Sequence, residues 1–430
     1  MKKSDMLISI RVVNISLVPK GEVSMSAEVF YRAMGLQGYW VVDVWKSKTG
    51  VIQVLVEPPR ESLRCRACRS RNVHVHERKT RTWKDVPFGD QPVNIVMESP
   101  RVRCRNCGKK TWHQPTFAAG QRQHTQHLEE HVSRWLSRIT IQDAALAFGL
   151  SWDTVAEIDR RRLKKLSRPE LKGLKRLAID ELYVGKKHRF LTLVHDLDTR
   201  AVLSVSKGRG AAALRGYFGR LERSGATVQA VAMDLAGGYI KAVIEHLPWA
   251  VLVFDRFHIM KLMNEKLSQL RRELHHELTD LQQREVLKGT RWLLLKNPEN
   301  LKQTTRVDEL ARLNEALKLN EPLAQAYYLK DELRQFWEQR SKPAAAKFLD
   351  DWCRRAEATG TRVLRTMSNT LRGHRTGLLN WYDHPISTGP VEGTNNKIGA
   401  LQRRAYGYRS YDHLKERILT IHHTKFTLVG

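Results

Sequence analysis

Leu177-Ala178-Ile179-Asp180-Glu181-Leu182-Tyr183 and Val228-Gln229-Ala230-Val231-Ala232-Met233-Asp234 are the two runs on which the reading of the fold turns. Both are short and dense in aliphatic residues, the pattern of strands buried on both faces. Phe190–Val194, Ala201–Val205 and Ala250–Phe254 have the same character, each bounded by polar or turn residues. Ala211–Arg223 carries Leu214, Phe218 and Leu221 on one helical face, and Tyr239–His246 reads as a second helix. Strand, strand, strand, helix, strand, helix, strand predicts a mixed α/β layer structure.

Outward from this unit the pattern changes. Residues 259–385 are rich in Leu, Lys, Arg and Glu at helical spacing and predict an all-helical block. A loop containing Gly389-Pro390 then leads into a further helix from about Val391, so the α/β unit is interrupted and resumes at 386–430. Upstream of its first part, 174–258, lie three segments. Residues 1–62 are an N-terminal extension with a small α/β segment: a short helix, strands around Val41, Val42 and Val44, the turn Lys48-Thr49-Gly50, and a strand from Val51 to Val56. Residues 63–115 bear cysteines, and residues 120–170 are helical.

The chain has 430 residues, enough for several cores at 41% hydrophobic content. Its 74 Lys and Arg against 45 Asp and Glu give a formal charge of +29, which calls for a polyanionic partner, above all nucleic acid. No run of apolar residues is long enough to span a bilayer, and the first residues lack the apolar segment of a secretion signal. A cytoplasmic protein is expected, and its cysteines are therefore read as metal ligands.

Cys65-Arg66-Ala67-Cys68 and Cys104-Arg105-Asn106-Cys107 are two CxxC knuckles separated by 35 residues. Each presents two thiolates, and four complete a tetrahedral Zn²⁺ shell. Gly108 suits the tight turn after the second knuckle, and the intervening Trp83–Val96 reads as hairpin, which makes the module a zinc ribbon. His74, His76 and His113 are expected at the surface, and Cys353 within a helical core. Ile141–Val155 has helix-turn-helix register, with small Ala145 at the helix crossing, Gly149 at the turn, Ser151 as cap and Val155 packing back. The second helix, Trp152 to Leu163, carries Arg160, Arg161 and Arg162 and is expected to enter a DNA groove.

Three acids stand out by placement: Asp180 inside a strand, Asp234 ending one, and Glu392 opening a helix. An acid in an apolar strand is costly unless a cation or hydrogen bonds compensate. Two aspartates on adjacent strands with a glutamate from a packed helix suit two Mg²⁺ (or Mn²⁺) ions, which take hard oxygen ligands. Any one of the three alone reads more readily as a satisfied strand end or cap. Asp196, Asp198 and especially Asp255, which also ends a strand, compete on position.

The stretches Ile179-Asp180-Glu181-Leu182, His188–Thr192, Ala232–Tyr239, Val253–His258, Gly389–Ile398 and Arg403–Arg409 together resemble the DDE transposases of the ISL3 insertion-sequence family, over nearly the whole chain from about Ser26. The resemblance implies an RNase H-like mixed-sheet core interrupted by an all-helical insertion and preceded by a zinc ribbon and a helix-turn-helix. It implies catalytic, metal-binding roles for Asp180, Asp234 and Glu392. Asp255 and His258 form a D-x-x-H signature and, with Asn395 and Lys397, are candidate auxiliaries. Arg403, Arg404 and Arg409, interleaved with Tyr406, Tyr408 and Tyr411, are candidate DNA contacts. Double-stranded DNA, as element ends and as target, and a homodimer or larger assembly are the implied partners. A nuclease with the same core but no strand transfer, and a catalytically silent DNA-binding regulator, are the alternative functions. Residues 1–25 extend beyond the usual start of the family.

Overall fold

The computed structural model of the chain describes residues 34–166, 170–185, 190–279, 281–288, 290–301, 303–304 and 307–423. The extension 1–25, the short helix expected ahead of Val41, and His188 with Arg189 lie outside the described residues. Two structural units divide at Leu166 and Ser167.

The first unit is built on a five-stranded sheet. Strands β1 (Trp40–Lys46) and β2 (Ile52–Glu57) are antiparallel about the expected turn, where Gly50 takes φ +84°. The long hairpin β3 (Val73–Phe88) and β4 (Gln91–Cys104) follows, with β5 (Lys110–Trp112) on β4. The order is β1-β2-β4-β3, because β2 runs parallel to β4 from Ile52 opposite Val93 to Val56 opposite Met97. A boundary at residue 62 therefore falls within one sheet: Leu36, Val54 and Val56 share a core with Trp83, Ile95, Met97 and Phe117.

Three helices are docked on β3. They are α1 (Gln126–Trp135), α2 (Ile141–Ala147) and α3 (Trp152–Lys165). Each starts at a hydroxyl that accepts a hydrogen bond from a first-turn amide, at Thr125, Thr140 and Ser151. The expected helix-turn-helix is present: Ala145 and Val155 are buried, and Gly149 turns the chain at φ +57°. The Thr125 amide donates to the Lys84 carbonyl at 2.9 Å and its hydroxyl to buried Asp85 at 2.6 Å. The Lys84 ammonium also bonds the Gly149 carbonyl, so the helical motif is held to the sheet on both sides.

The second unit carries β6 (Arg176–Tyr183), β7 (Phe190–Asp196), β8 (Val202–Lys207), α4 (Ala211–Ser224), β9 (Ala230–Met233), α5 (Gly237–His246) and β10 (Val251–Phe254). This is the element order expected from the sequence. The sheet order is β10-β9-β6-β7-β8; the three sequential strands are antiparallel, while β9 and β10 add in parallel. With the helical block that follows, this is the RNase H-like mixed sheet interrupted by an insertion. Its two faces differ. Leu177, Ile179, Val231, Met233 and Phe254 point into the main core with α4, α5 and the helical block. Ala178, Ala230, Ala232 and Val253 form the opposite, shallow face.

The insertion comprises α6 (Arg256–Glu277), α7 (Leu281–Leu287), α8 (Arg291–Leu295), α9 (Glu309–Leu319), α10 (Glu321–Leu333), α11 (Lys342–Ala358), α12 (Arg362–Gly373) and α13 (Arg375–Leu379). It is not all helical: β11 (Gln303–Thr304) and β12 (Val307–Asp308) form a two-stranded ladder, too short to leave a periodic sequence signal. Cys353 is buried in α11 as expected. Lys330 is buried in α10, where its ammonium donates to the Leu294 and Lys296 carbonyls at 3.0 and 2.9 Å and so serves the open end of α8.

The insertion returns onto the edge strand β10. Asn380 donates to the Leu252 carbonyl at 2.9 Å, and Gly377 presses its backbone on the Phe254 ring. A Cβ at position 377 would lie 2.3 Å from that ring, so Gly377→Ala forces Phe254 aside. Overpacking of this kind costs about 1–3 kcal/mol. Equilibrium denaturation of Gly377→Ala is expected to show a loss in that range, against no comparable loss for Gly373→Ala, where the added carbon meets open space.

Candidate functional site

Strand register alone brings two of the expected acids together. Ala178 of β6 lies opposite Ala232 of β9, and Val253 of β10 lies on the other side of Ala232. Side chains alternate, so two residues further on Asp180, within β6, and Asp234 and Asp255, just past the ends of β9 and β10, emerge on the same face of three adjacent parallel strands spaced about 4.8 Å apart. Helix α14 (Gly389–Arg404) packs across this face through Val391, with Ile386 beside it, and the three alanines beneath leave room for the close approach.

Two side-chain contacts fix where α14 sits. Asn395 donates from Nδ2 to Asp180 Oδ2 at 2.7 Å. Glu392 is exposed three residues earlier, on the same helical face. Among the described residues, Asp180, Asp234 and Glu392 are not drawn within a common 4.8 Å. Asp255 takes a different part. Its carboxylate is buried and accepts from the Thr388 amide at 3.3 Å and the Thr388 hydroxyl at 2.9 Å. It stands at the head of α6 without capping that helix, and instead pins the residue from which α14 starts. Thr388 is the residue that sequence reasoning missed; its only local signal is a hydroxyl directly before Gly389-Pro390.

Asp180 is held above the usual carboxylate range by burial, offset by the Glu181 amide, by His258 and by Asn395, and pushed further up by Asp234. The Glu181 amide donates to its Oδ1 at 2.8 Å, and His258 Nε2 lies 4.0 Å from the same oxygen. Asp234 accepts from the Ala236 amide at 2.9 Å. The side-chain oxygen of Asn395, Oδ1, is buried without a partner. Two neighbouring carboxylates, one of them disfavoured as an anion, and an orphaned oxygen beside them fit a site for hard divalent cations. Lys397 and Asn396 lie exposed on α14.

The four cysteines converge in the first unit. Sγ of Cys65 is 3.6 Å from that of Cys107, Sγ of Cys68 is 3.5 Å from that of Cys104, and all four lie within 4.8 Å. A zinc tetrahedron with bonds near 2.3 Å has its sulfurs about 3.8 Å apart, so the set fits Zn²⁺. Amides of the knuckle, that of Cys68 first, bring the Cys65 thiol down to about 6. The Ser70 amide pulls Cys68 the same way, but its three sulfur neighbours push it up to about 12. Such a cluster resists full ionisation until a cation is present. Gly108 turns at φ +66° as expected. His74 and His76 are exposed, whereas His113 is half-buried with its ring 3.3 Å from the Tyr39 hydroxyl, contrary to a surface placement.

Comparison with known proteins agrees with this architecture. A family model of the ISL3 DDE type, described as "Transposase", matches residues 177–418. The chain belongs to the ISL3 transposase family. Within this transposase, residues 61–107 match the zinc finger of the transposases of IS204, IS1001, IS1096 and IS1165. The transposase of insertion sequence element IS1001 from Bordetella parapertussis is 33% identical over 387 residues, covering 88% of this chain and 94% of that protein. That of IS1557 from Mycobacterium tuberculosis is 28% identical, covering 82% and 84%. The solved Drosophila P element transposase strand transfer complex overlaps 75% of this chain and 95% of its own at 13% identity, with a TM-score of 0.36, too loose a match to carry weight. No helix among the described residues is long and apolar enough to cross a membrane.

The transposase's basic residues are placed unevenly. Of the arginines expected to face DNA from α3, Arg161 bonds Glu129 at 2.8 Å and Arg162 grips buried Asp159 at 3.0 and 2.8 Å. Arg160 is half exposed beside Glu157. Arg403, Arg404 and Arg409 are exposed around the turn after α14, where Tyr406 stands fully exposed at φ +49°.

Metal analysis of purified transposase is expected to find one zinc per chain, lost in Cys65→Ser and kept in Cys353→Ser. The raised Asp180 means that ionisation there opposes folding. The folded protein thus gains stability as pH falls through the raised value, and Asp180→Asn removes the penalty. In metal-free buffer near neutral pH, Asp180→Asn should melt at or above the wild-type temperature, and the difference should vanish below the normal aspartate range, where the wild type is protonated too.

Proposed function

We propose that this transposase cuts the phosphodiester at the 3′ ends of its element and joins the freed 3′-hydroxyls to target DNA, using Asp180, Asp234 and Glu392. The observation that carries this reading is the strand register that brings Asp180 and Asp234 side by side, under a helix that Asn395 ties to Asp180 and that bears Glu392 three residues before. Two divalent cations, Mg²⁺ or Mn²⁺, supply activation of the attacking oxygen and stabilisation of the leaving one when held by these acids. Both steps are in-line displacements at phosphorus, so one set of carboxylates serves both. Asp180 and Asp234 orient the reacting phosphate from the sheet, and Glu392 closes the site from α14. His258, beside Asp180, binds a phosphate oxygen from the head of α6. Asp255 acts at one remove, through Thr388.

The zinc ribbon and helix-turn-helix recognise the terminal inverted repeats of the element, with Arg160 on α3 reaching a phosphate. Arg403, Arg404 and Arg409 grip phosphates near the cut while Tyr406 stacks on a base. Two ends must be brought together, so a homodimer or larger assembly forms on DNA, in the cytoplasm.

Cleavage and joining are measured on DNA carrying the element's own ends. Asp180→Asn, Asp234→Asn and Glu392→Gln are each expected to lose both activities by about a thousandfold or more while end binding persists. Asp255→Asn is expected to be milder. A Glu392→Gln protein that cuts at the normal rate would overturn the assignment of that residue. Cleavage without joining of pre-cut ends would identify a nuclease instead.

A further inference from the structure

Helix α6 begins at the acid site and leads away from it. His258, in its first turn, faces Asp180. Phe257, Lys261, Asn264, Arg271 and Arg272 follow on a continuous face, and Arg291 of α8 stands opposite them across a groove of about 460 Å³. From Phe257 to Arg272 the helix rises about 22 Å.

Several arginines of the helical block are matched by carboxylates: Arg334 with Glu299, Arg355 with Glu332, Arg372 with Glu357 and Arg375 with Asp350. Among the described residues no carboxylate forms an ion pair with Lys261, Arg271, Arg272 or Arg291, although Glu265 lies at the groove's side. Arg271 is held below its ordinary value by burial and by the guanidiniums of Arg291 and Arg272. Its Nη1 donates to the Leu287 carbonyl at 3.3 Å, while its Nε and the side-chain amide oxygen of Asn264 are buried without partners. Phe257 is 59% exposed at the mouth of the groove. Crowded cations and an unused donor need an extended anion, and one strand of a duplex carries a phosphate every 3.4 Å or so of axis, so a track of about 22 Å can follow several.

We propose that the groove between α6 and α8 is a track for the phosphodiester backbone of the DNA strand that leads to the acid site. It holds that strand in place by its phosphates, with Phe257 against a base at the mouth. The inference rests on the reading that DNA is cut at Asp180, Asp234 and Glu392. Its test does not need the cut.

The zinc-loaded full chain, without divalent cations at the acid site, is titrated with a labelled single-stranded oligonucleotide of mixed sequence over a range of salt. The variant Lys261→Ala, Arg272→Ala, Arg291→Ala replaces three exposed cations and leaves half-buried Arg271 in place; its melting curve checks the fold. The slope of log affinity against log salt is expected to fall by about 2, since each phosphate of a single strand that a cation neutralises adds about 0.7 to it. The charge-keeping variant Lys261→Arg, Arg272→Lys, Arg291→Lys should restore it. An unchanged slope in the folded alanine variant would overturn the track. So would inorganic triphosphate binding that the alanine variant loses while its DNA slope stays the same, since the groove would then hold a small anion. A slope change in the alanine variant, beside wild-type protein that neither cuts nor joins its own ends when Mg²⁺ is supplied, would sink the functional reading and leave the track standing.

Discussion

The buried carboxylate of Asp255 holds the interrupted core together. The chain leaves the sheet at Phe254, builds eight α-helices among the described residues, and returns at Thr388, 133 residues from Asp255, where one amide and one hydroxyl meet the same carboxylate. An unpartnered buried carboxylate would cost several kcal/mol. Hydrogen bonds to a charged group return about 1.5–3 kcal/mol each, so the two from Thr388 make burial of the anion tolerable only when the far end of the insertion is in place. The result is a mutual dependence: the sheet needs α14 to satisfy Asp255, and α14 needs Asp255 to set its first residue. The rest of its seat is a shallow apolar face of alanines beneath Val391 and, two turns further on, the cluster in which Ile398 packs with Leu191, Leu193 and Leu414.

A second regularity runs through the molecule. Some charged groups are neutralised by neighbours, as Glu129 is by Arg122, His124 and Arg161, which hold it at about 2 in spite of its burial. At three places like charges are instead gathered: four sulfurs at the knuckles, Asp180 beside Asp234, and the cations along α6. Folding does not favour such clusters by itself, because each one opposes its own ionisation. Each is placed on rigid elements, a hairpin with its knuckles, neighbouring strands, or a long helix, so that repulsion cannot relax it away. Rigid, unneutralised charge is what a ligand of opposite sign meets as a preformed site.

Much of this was legible in sequence because the signals were local. Strands buried on both faces leave apolar runs, CxxC spacing states its own geometry, and Gly149 with Val155 marks a helical turn. Asp180 and Asp234 could be singled out because acids rarely sit in such runs. What stayed hidden depends on residues far apart. The parallel pairing of β2 with β4 passes over a zinc knuckle and has no local signature, so an extension and a ribbon read as two pieces where the sheet is one. Arg161 and Arg162 looked available to DNA because nothing in a helical pattern says which carboxylates face them. Asp255 looked like a rival ligand because its partner Thr388 is an ordinary residue in a distant loop.

The position of α14 also sets an order of events during synthesis. Every strand of the core sheet has been made by Phe254, but Glu392 is not added until the whole insertion has followed. Translation runs at roughly 5–20 residues per second, so on the order of ten seconds pass in which the ribosome carries every strand of the core sheet without the helix that packs across it. Its alanine face lies bare for that time, and Asp255 has no hydroxyl to receive. A nascent or prematurely ended chain therefore has the zinc ribbon and the helix-turn-helix of the whole protein before its core sheet has the helix that packs across it.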